Sequence, residues 1–103
     1  MLKRSDIKGM AGNLTYGRGI ELYQKRKVLQ YHVETDMLDP DLENVIAKVK
    51  GSGRSAYTVE IAYDTARDEV ESTYCDCPAF ESYRGICKHC VAVLLEYMEY
   101  QQE

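Results

Sequence analysis

The sequence predicts an α+β fold: an N-terminal helical segment, a four-stranded antiparallel meander, then a loop leading to a C-terminal helix. Three observations predict it. Apolar residues recur at helical spacing near both ends of the chain, four short alternating runs lie between them, and turn residues separate those runs. The chain has 103 residues, which is the length of one domain, taken here as residues 1–103. Such a chain buries roughly 60–65% of its unfolded surface, a modest core.

The helical segment is residues 1–27. Ser5 is the expected cap of a short helical turn through Met10. Tyr16, Ile20 and Tyr23 then recur at spacings of four and three, a helical stripe over about 15–26. Gly17 and Gly19 fall inside it, each costing about 1 kcal/mol relative to alanine. The sheet is residues 28–74. Val28 to Thr35 alternates, with Leu29, Tyr31 and Val33 expected on one face. Asp39-Pro40-Asp41 marks a turn, and Asn44 to Lys50 alternates again with Val45, Ala47 and Val49 together. Gly51-Ser52-Gly53 reads as a hairpin turn before Ala56 to Tyr63, where Tyr57, Val59, Ile61 and Tyr63 share a face. Asp64 to Asp68 turns into the fourth strand. Sequential strands joined by short turns make a meander. The last helix runs from about Cys87 to Tyr100 and should lay Cys90, Val91, Leu94, Leu95 and Met98 on the sheet.

Chemistry concentrates in residues 75–103. Cys75-Asp76-Cys77, nine residues, then Cys87-Lys88-His89 places three thiols and an imidazole within fifteen positions. Alternate residues of an extended chain project to one side, so Cys75 and Cys77 can grip one ion from a strand end. Pro78 has no N–H for a ladder and stops that strand. Gly85 is a turn residue in the loop from Ala79 to Ile86. Cys87 and His89 stand at a helix start, whose partial positive charge favours thiolate. Three thiolates and an imidazole close a tetrahedral structural zinc site, so this is expected to be a zinc-bound loop holding one Zn²⁺. A closed site leaves no position for a substrate, so binding rather than catalysis is the expected role.

Other readings of these residues stand beside it. Cys90 adjoins His89, so a Cys₄ site with Cys90 as fourth ligand stays open, although Cys90 also belongs to the apolar stripe. The opening Met1-Leu2-Lys3-Arg4-Ser5-Asp6 leads into no apolar signal segment. A reducing cytoplasm is the expected location, and disulfides are rare there. Buried apolar cysteines without metal are a further alternative. Cys87 and Cys90 also form the C-x-x-C of thiol oxidoreductases, but a meander is not a βαβ unit, and Cys75 and Cys77 would then have no role.

The pattern C-x-C, loop, C-x-H resembles the SWIM zinc finger, here on Cys75, Cys77, Cys87 and His89. The flanks Cys77-Pro78-Ala79-Phe80 and Cys87-Lys88-His89-Cys90-Val91-Ala92-Val93-Leu94-Leu95 are similar to that family's CxCP-x-F and CKH-x-x-A-x-L-L pattern. Cys90 departs from it, since an aliphatic residue is usual there. Arg18-Gly19, Tyr23 and Lys27-Val28 resemble the segment preceding the finger in bacterial members. The resemblance implies a zinc-structured module contacting proteins or DNA, as the N-terminal or partner module of a Swi/Snf-type DNA-dependent ATPase.

Composition narrows the remaining options. No apolar run approaches the ~18 residues of a membrane span. No P-loop, catalytic triad or paired carboxylates appear, so neither enzymatic activity nor a small-molecule substrate is expected, and His32 stands alone. Nine tyrosines with one Phe and no Trp suit rings with one buried and one wet end. Net charge is −4, yet residues 1–29 hold seven basic side chains against Asp6 and Glu21. A solvated helix face accounts for such a run. If DNA is a target, weak contact through Lys25, Arg26, Lys27, Arg84 and Lys88 is expected, since an acidic domain does not hold DNA tightly by charge alone.

Overall fold

Helices α1 (Arg4–Ala11) and α2 (Asn13–Gln24) make up the N-terminal segment of a computed structural model that describes residues 1–51, 53, 55–78 and 85–102. Gly12 separates them with φ of +83°, a conformation that costs glycine little. Its N–H donates to the Lys8 carbonyl at 2.8 Å, and its own carbonyl accepts from the Tyr16 N–H at 2.9 Å. One residue thus ends the first helix and starts the second. The cap of α1 is not Ser5. Lys3 occupies the N-cap position, and the Asp6 carboxylate accepts its backbone N–H at 3.0 Å. Ser5 lies within the first turn, where a reaching carboxylate at the third position does the capping and also meets the positive helix end.

The four strands are β1 (Val28–Thr35), β2 (Leu42–Lys50), β3 (Ala56–Asp64) and β4 (Glu69–Cys75), ordered β1-β2-β3-β4 with every neighbour antiparallel. β2 and β3 pair without interruption from Leu42–Asp64 to Lys50–Ala56. Val45, Ala47, Val49, Val59, Ile61 and Tyr63 line the buried face, as the alternation predicts. β1 departs from its predicted phase. Its register shifts between Leu29 and His32, and Gln30 takes φ of +50°. A bulge flips the phase of one side of the strand. Val28, Tyr31 and Val33 therefore pack on the core, while Leu29 is 43% exposed.

Helix α3 (Lys88–Gln101) is the middle of three layers, with the sheet on one side and α1 and α2 on the other. His89 through Leu95, and Tyr97, are all buried. The buried run His89–Leu95 covers nearly two turns and meets both the sheet and the helical layer, so the predicted stripe toward the sheet is only part of the contact surface of α3. Gly19 is the buried residue of α2 and faces Val91. Tyr63 and Tyr97 are fully buried with ring centroids 5.1 Å apart, and their hydroxyls donate to Asp68 and Glu43. Among the described residues, no helix is long and apolar enough to cross a membrane.

Candidate metal centre

The last residue of β4 begins the site. Cys75 pairs with Val59 and points into the core at 2% exposure. The strand ends there rather than at Pro78. Asp76 folds back on β3, donating its N–H to the Thr58 carbonyl at 3.2 Å and accepting the Thr58 N–H on its carboxylate at 2.8 Å. This reciprocal pair holds the turn that returns Cys77 to the buried side. The other half of the site is the start of α3. Cys87 is its N-cap residue and His89 lies in the first turn. On the near side of the loop, the Ile86 N–H meets the Met10 carbonyl at 3.4 Å, so the end of α1 braces the approach to Cys87.

Cys75, Cys77, Cys87 and His89 are all buried, and their ligand atoms lie within 4.8 Å of one another. The sulfurs of Cys75 and Cys87 each stand 3.8 Å from His89 Nδ1. A tetrahedron with metal–sulfur bonds of about 2.3 Å has edges of about 3.8 Å. The donors thus converge at the separation that one zinc ion requires, and three soft sulfurs with one imidazole are a zinc donor set. The cluster fits one structural zinc. The His89 ring is steadied by Tyr57, with centroids 4.8 Å apart at 49°. His89 Nε2 is buried without a hydrogen-bond partner among the described residues, so packing rather than a polar second contact sets the ring's orientation.

Cys90 is outside this convergence. Its sulfur lies 3.7 Å from that of Cys87 and 4.0 Å from the Tyr74 carbonyl, and it is not among the four mutually close donors. All four cysteines are free of disulfides. The thiols share protons unequally. Contacts from Cys75 first and Cys90 second hold the Cys87 thiol far below its ordinary range. Cys75 and Cys90 are pushed far above theirs, first by hydrogen bonding to Cys87 and then by burial. Cys87 and Cys90 are both 0% exposed.

Of the residues considered for nucleic acid, Lys25, Lys27 and Lys88 line one cleft, which Arg18 and Lys50 complete. Arg26 does not join them. With φ of +57° it turns away after α2 and lines a different depression with Tyr23, Glu96 and Glu99. Arg84 lies outside the described residues, as do Ala79 and Phe80 of the loop. Sequence reasoning missed Asp76, Tyr57, Arg18 and Lys50. An Asp between two ligands on an extended chain carries a weak signal, whereas Tyr57 and Lys50 reach their places through strand pairing, which sequence distance conceals.

Residues 57–98 match the family model of the SWIM zinc finger. The match covers β3 from Tyr57, β4, the segment to α3 and α3 as far as Met98, and includes all four donors. It leaves α1, α2, β1 and β2 outside, together with Arg18-Gly19, Tyr23 and Lys27-Val28. No curated protein and no solved structure matches the chain.

Proposed function

We propose that this zinc-binding module works by contacting proteins, as the N-terminal or partner module of a Swi/Snf-type DNA-dependent ATPase in a reducing cytoplasm. The observation that carries a binding role is the closed, buried set of four donors. A four-coordinate ion so enclosed has no position for a reactant, so its contribution is to the fold, and the module acts by binding rather than turnover. A protein-contacting surface is supported at the β1–β2 turn. Met37 and Leu38 are 99% and 96% exposed there, while Asp36 accepts the backbone N–H groups of Leu38 at 2.8 Å and Asp39 at 3.2 Å and holds the turn in shape. Two apolar side chains on a rigid tip lose little entropy on docking.

The test is titration of the zinc-loaded chain into a Swi/Snf-type ATPase encoded beside or in continuity with it, by calorimetry and by DNA-stimulated ATP hydrolysis. Saturable micromolar binding with a change in turnover is expected, weakened by Leu38→Asp. Absence of binding at those concentrations would sink the ATPase-partner reading.

A further inference from the structure

We propose that this chain associates head to tail, the acidic β1–β2 turn of one copy docking in a basic cleft of the next. The cleft lies between α2, the β2–β3 end of the sheet and the start of α3. It has a volume of about 540 Å³, and its walls include Arg18, Lys25, Lys27, Lys50 and Lys88 beside the half-buried Leu22. Glu21 on the same wall is tied to Lys25 at 2.7 Å. The described lining thus sets five positive side chains against one negative.

The opposite charge is concentrated at the β1–β2 turn. Met37 and Leu38 stand in solvent there, between Asp36 and Asp39 and with Asp41 just beyond. The carboxylates are built into the turn. Asp36 accepts from the Asn44 side chain at 3.2 Å as well as from the Leu38 and Asp39 N–H groups, and Asp39 accepts the Asp41 N–H at 3.0 Å. In the neighbouring β3–β4 turn, Arg67 lies 3.9 Å from Asp64 and 4.0 Å from Glu69, so its charge is matched locally. Two apolar side chains framed by fixed carboxylates fit a basic cleft with an apolar side chain on its wall. Apolar anchors seated in a pocket supply binding energy, while matched charges set partner and register.

Strand pairing decides that the partner is a second molecule. The Lys50 N–H donates to the Lys27 carbonyl at one end of the sheet, and the Asp36 N–H donates to the Leu42 carbonyl at the other. The nine residues of β2 separate these ends by roughly 27 Å. The longest extent of the molecule is 36 Å. Turn and cleft therefore lie at opposite ends of one copy and meet only between copies. Such a contact is heterologous, because each added copy leaves a free turn at one end and a free cleft at the other. The proposal goes beyond the ATPase-partner reading. It shares Met37 and Leu38 with that reading but needs only this chain, so either can fail without the other.

The experiment is sedimentation velocity of the zinc-loaded chain from about 10 μM to about 1 mM, the range of weak association. The mass distribution should climb past the dimer with concentration, and the affinity should fall several-fold between about 50 and 500 mM salt as the charges are screened. Met37→Ser with Leu38→Ser removes the apolar pair, and Arg18→Glu with Lys50→Glu reverses charge in the cleft. All four side chains are exposed, so the fold should tolerate both changes, and circular dichroism with zinc content checks this. Each variant alone should be monomeric. Mixed in equal amounts, they should form a one-to-one dimer and nothing larger. The intact turn of the cleft variant then enters the intact cleft of the turn variant, and both remaining ends are disabled. A monomeric parent at about 1 mM overturns the proposal. A parent that associates while the mixed variants do not overturns the pairing of turn with cleft. Arrest of the parent at a dimer overturns the head-to-tail arrangement, and an affinity that does not fall with salt overturns the charge matching.

Discussion

Gly19 of α2 lies directly against Val91 of α3, with no room between them for another carbon. A Cβ on Gly19 would overlap Cγ1 and Cβ of Val91 and approach the Lys88 carbonyl at 3.0 Å. The second helix can sit this close to the root of the metal-bearing helix only because that position has no side chain. Gly17, two residues earlier on the same helix, meets nothing within 4 Å.

The two glycines should therefore respond with opposite signs. Gly19→Ala should destabilise the fold by about 1–3 kcal/mol through overpacking, even after the helix-propensity gain. Gly17→Ala should stabilise it by up to about 1 kcal/mol. Thermal unfolding of the zinc-loaded protein checks both, at roughly 4–8 °C per kcal/mol for a domain of this size. Equal responses would mean that α2 does not pack on α3 at Gly19.

Metal removal should unfold at least the loop and α3. Structural zinc contributes on the order of 10–16 kcal/mol in small fingers, against a total stability of about 5–15 kcal/mol for a domain. Chelation or Cys77→Ser is expected to abolish stoichiometric zinc and reduce the helical circular dichroism signal. Cys90→Ala, by contrast, should retain one zinc. In the cobalt-substituted protein its sulfur-to-metal charge-transfer intensity should equal that of the parent, because Cys90 is not among the converging donors. A loss of one thiolate's intensity in Cys90→Ala would place Cys90 on the metal instead.

Gly85 should matter for metal affinity although it carries no donor. A Cβ there would collide with the Met10 carbonyl oxygen, the acceptor of the Ile86 N–H. Gly85→Ala is expected to push the loop away from α1 and raise the free energy of bringing Cys87 to the site, since binding and ordering are one equilibrium in such modules. Competition with a chromophoric chelator should show weaker zinc binding by about tenfold or more, the equivalent of 1.4 kcal/mol or more. An unchanged affinity would remove the brace from the account.

The β1–β2 turn should loosen in acid. The Asp36 carboxyl is held below its usual value, by the Leu38 N–H first and by Asn44 next. A depressed folded value means that the turn's stabilisation is complete above the unfolded Asp pKa of about 3.9 and is lost as pH falls through the lower folded value. Protection of the Leu38 and Asp39 amides, taken as exchange relative to the unstructured rate at each pH and followed by NMR on the intact fold, should fall in that window. Asp36→Asn should show the loosened turn at neutral pH.

The metal donors were readable because they are local in sequence. Two pairs at i and i+2 flank a short loop, and each pair needs only a strand end or a helix start to present it. The faces of β2 and β3 were readable for a similar reason, since Val45, Ala47, Val49, Val59 and Ile61 alternate without interruption. Leu29 was not, because the left-handed Gln30 reverses the phase of β1 at a residue whose type does not announce it. Arg26 was not either, since its neighbours Lys25 and Lys27 turn one way while a single positive φ sends it the other.

What the amino-acid sequence determined by itself was the local order: which runs are extended or helical, and which side chains can reach one metal ion. Such properties depend on period and spacing within a few residues. Only the tertiary structure decided that α3 lies between two layers, that Gly19 is the point of helix contact, and that Arg18, Lys50 and Lys88 face one cleft. Those relationships join residues far apart along the chain, and the packing of α2 and the sheet on either side of α3 is what brings them together.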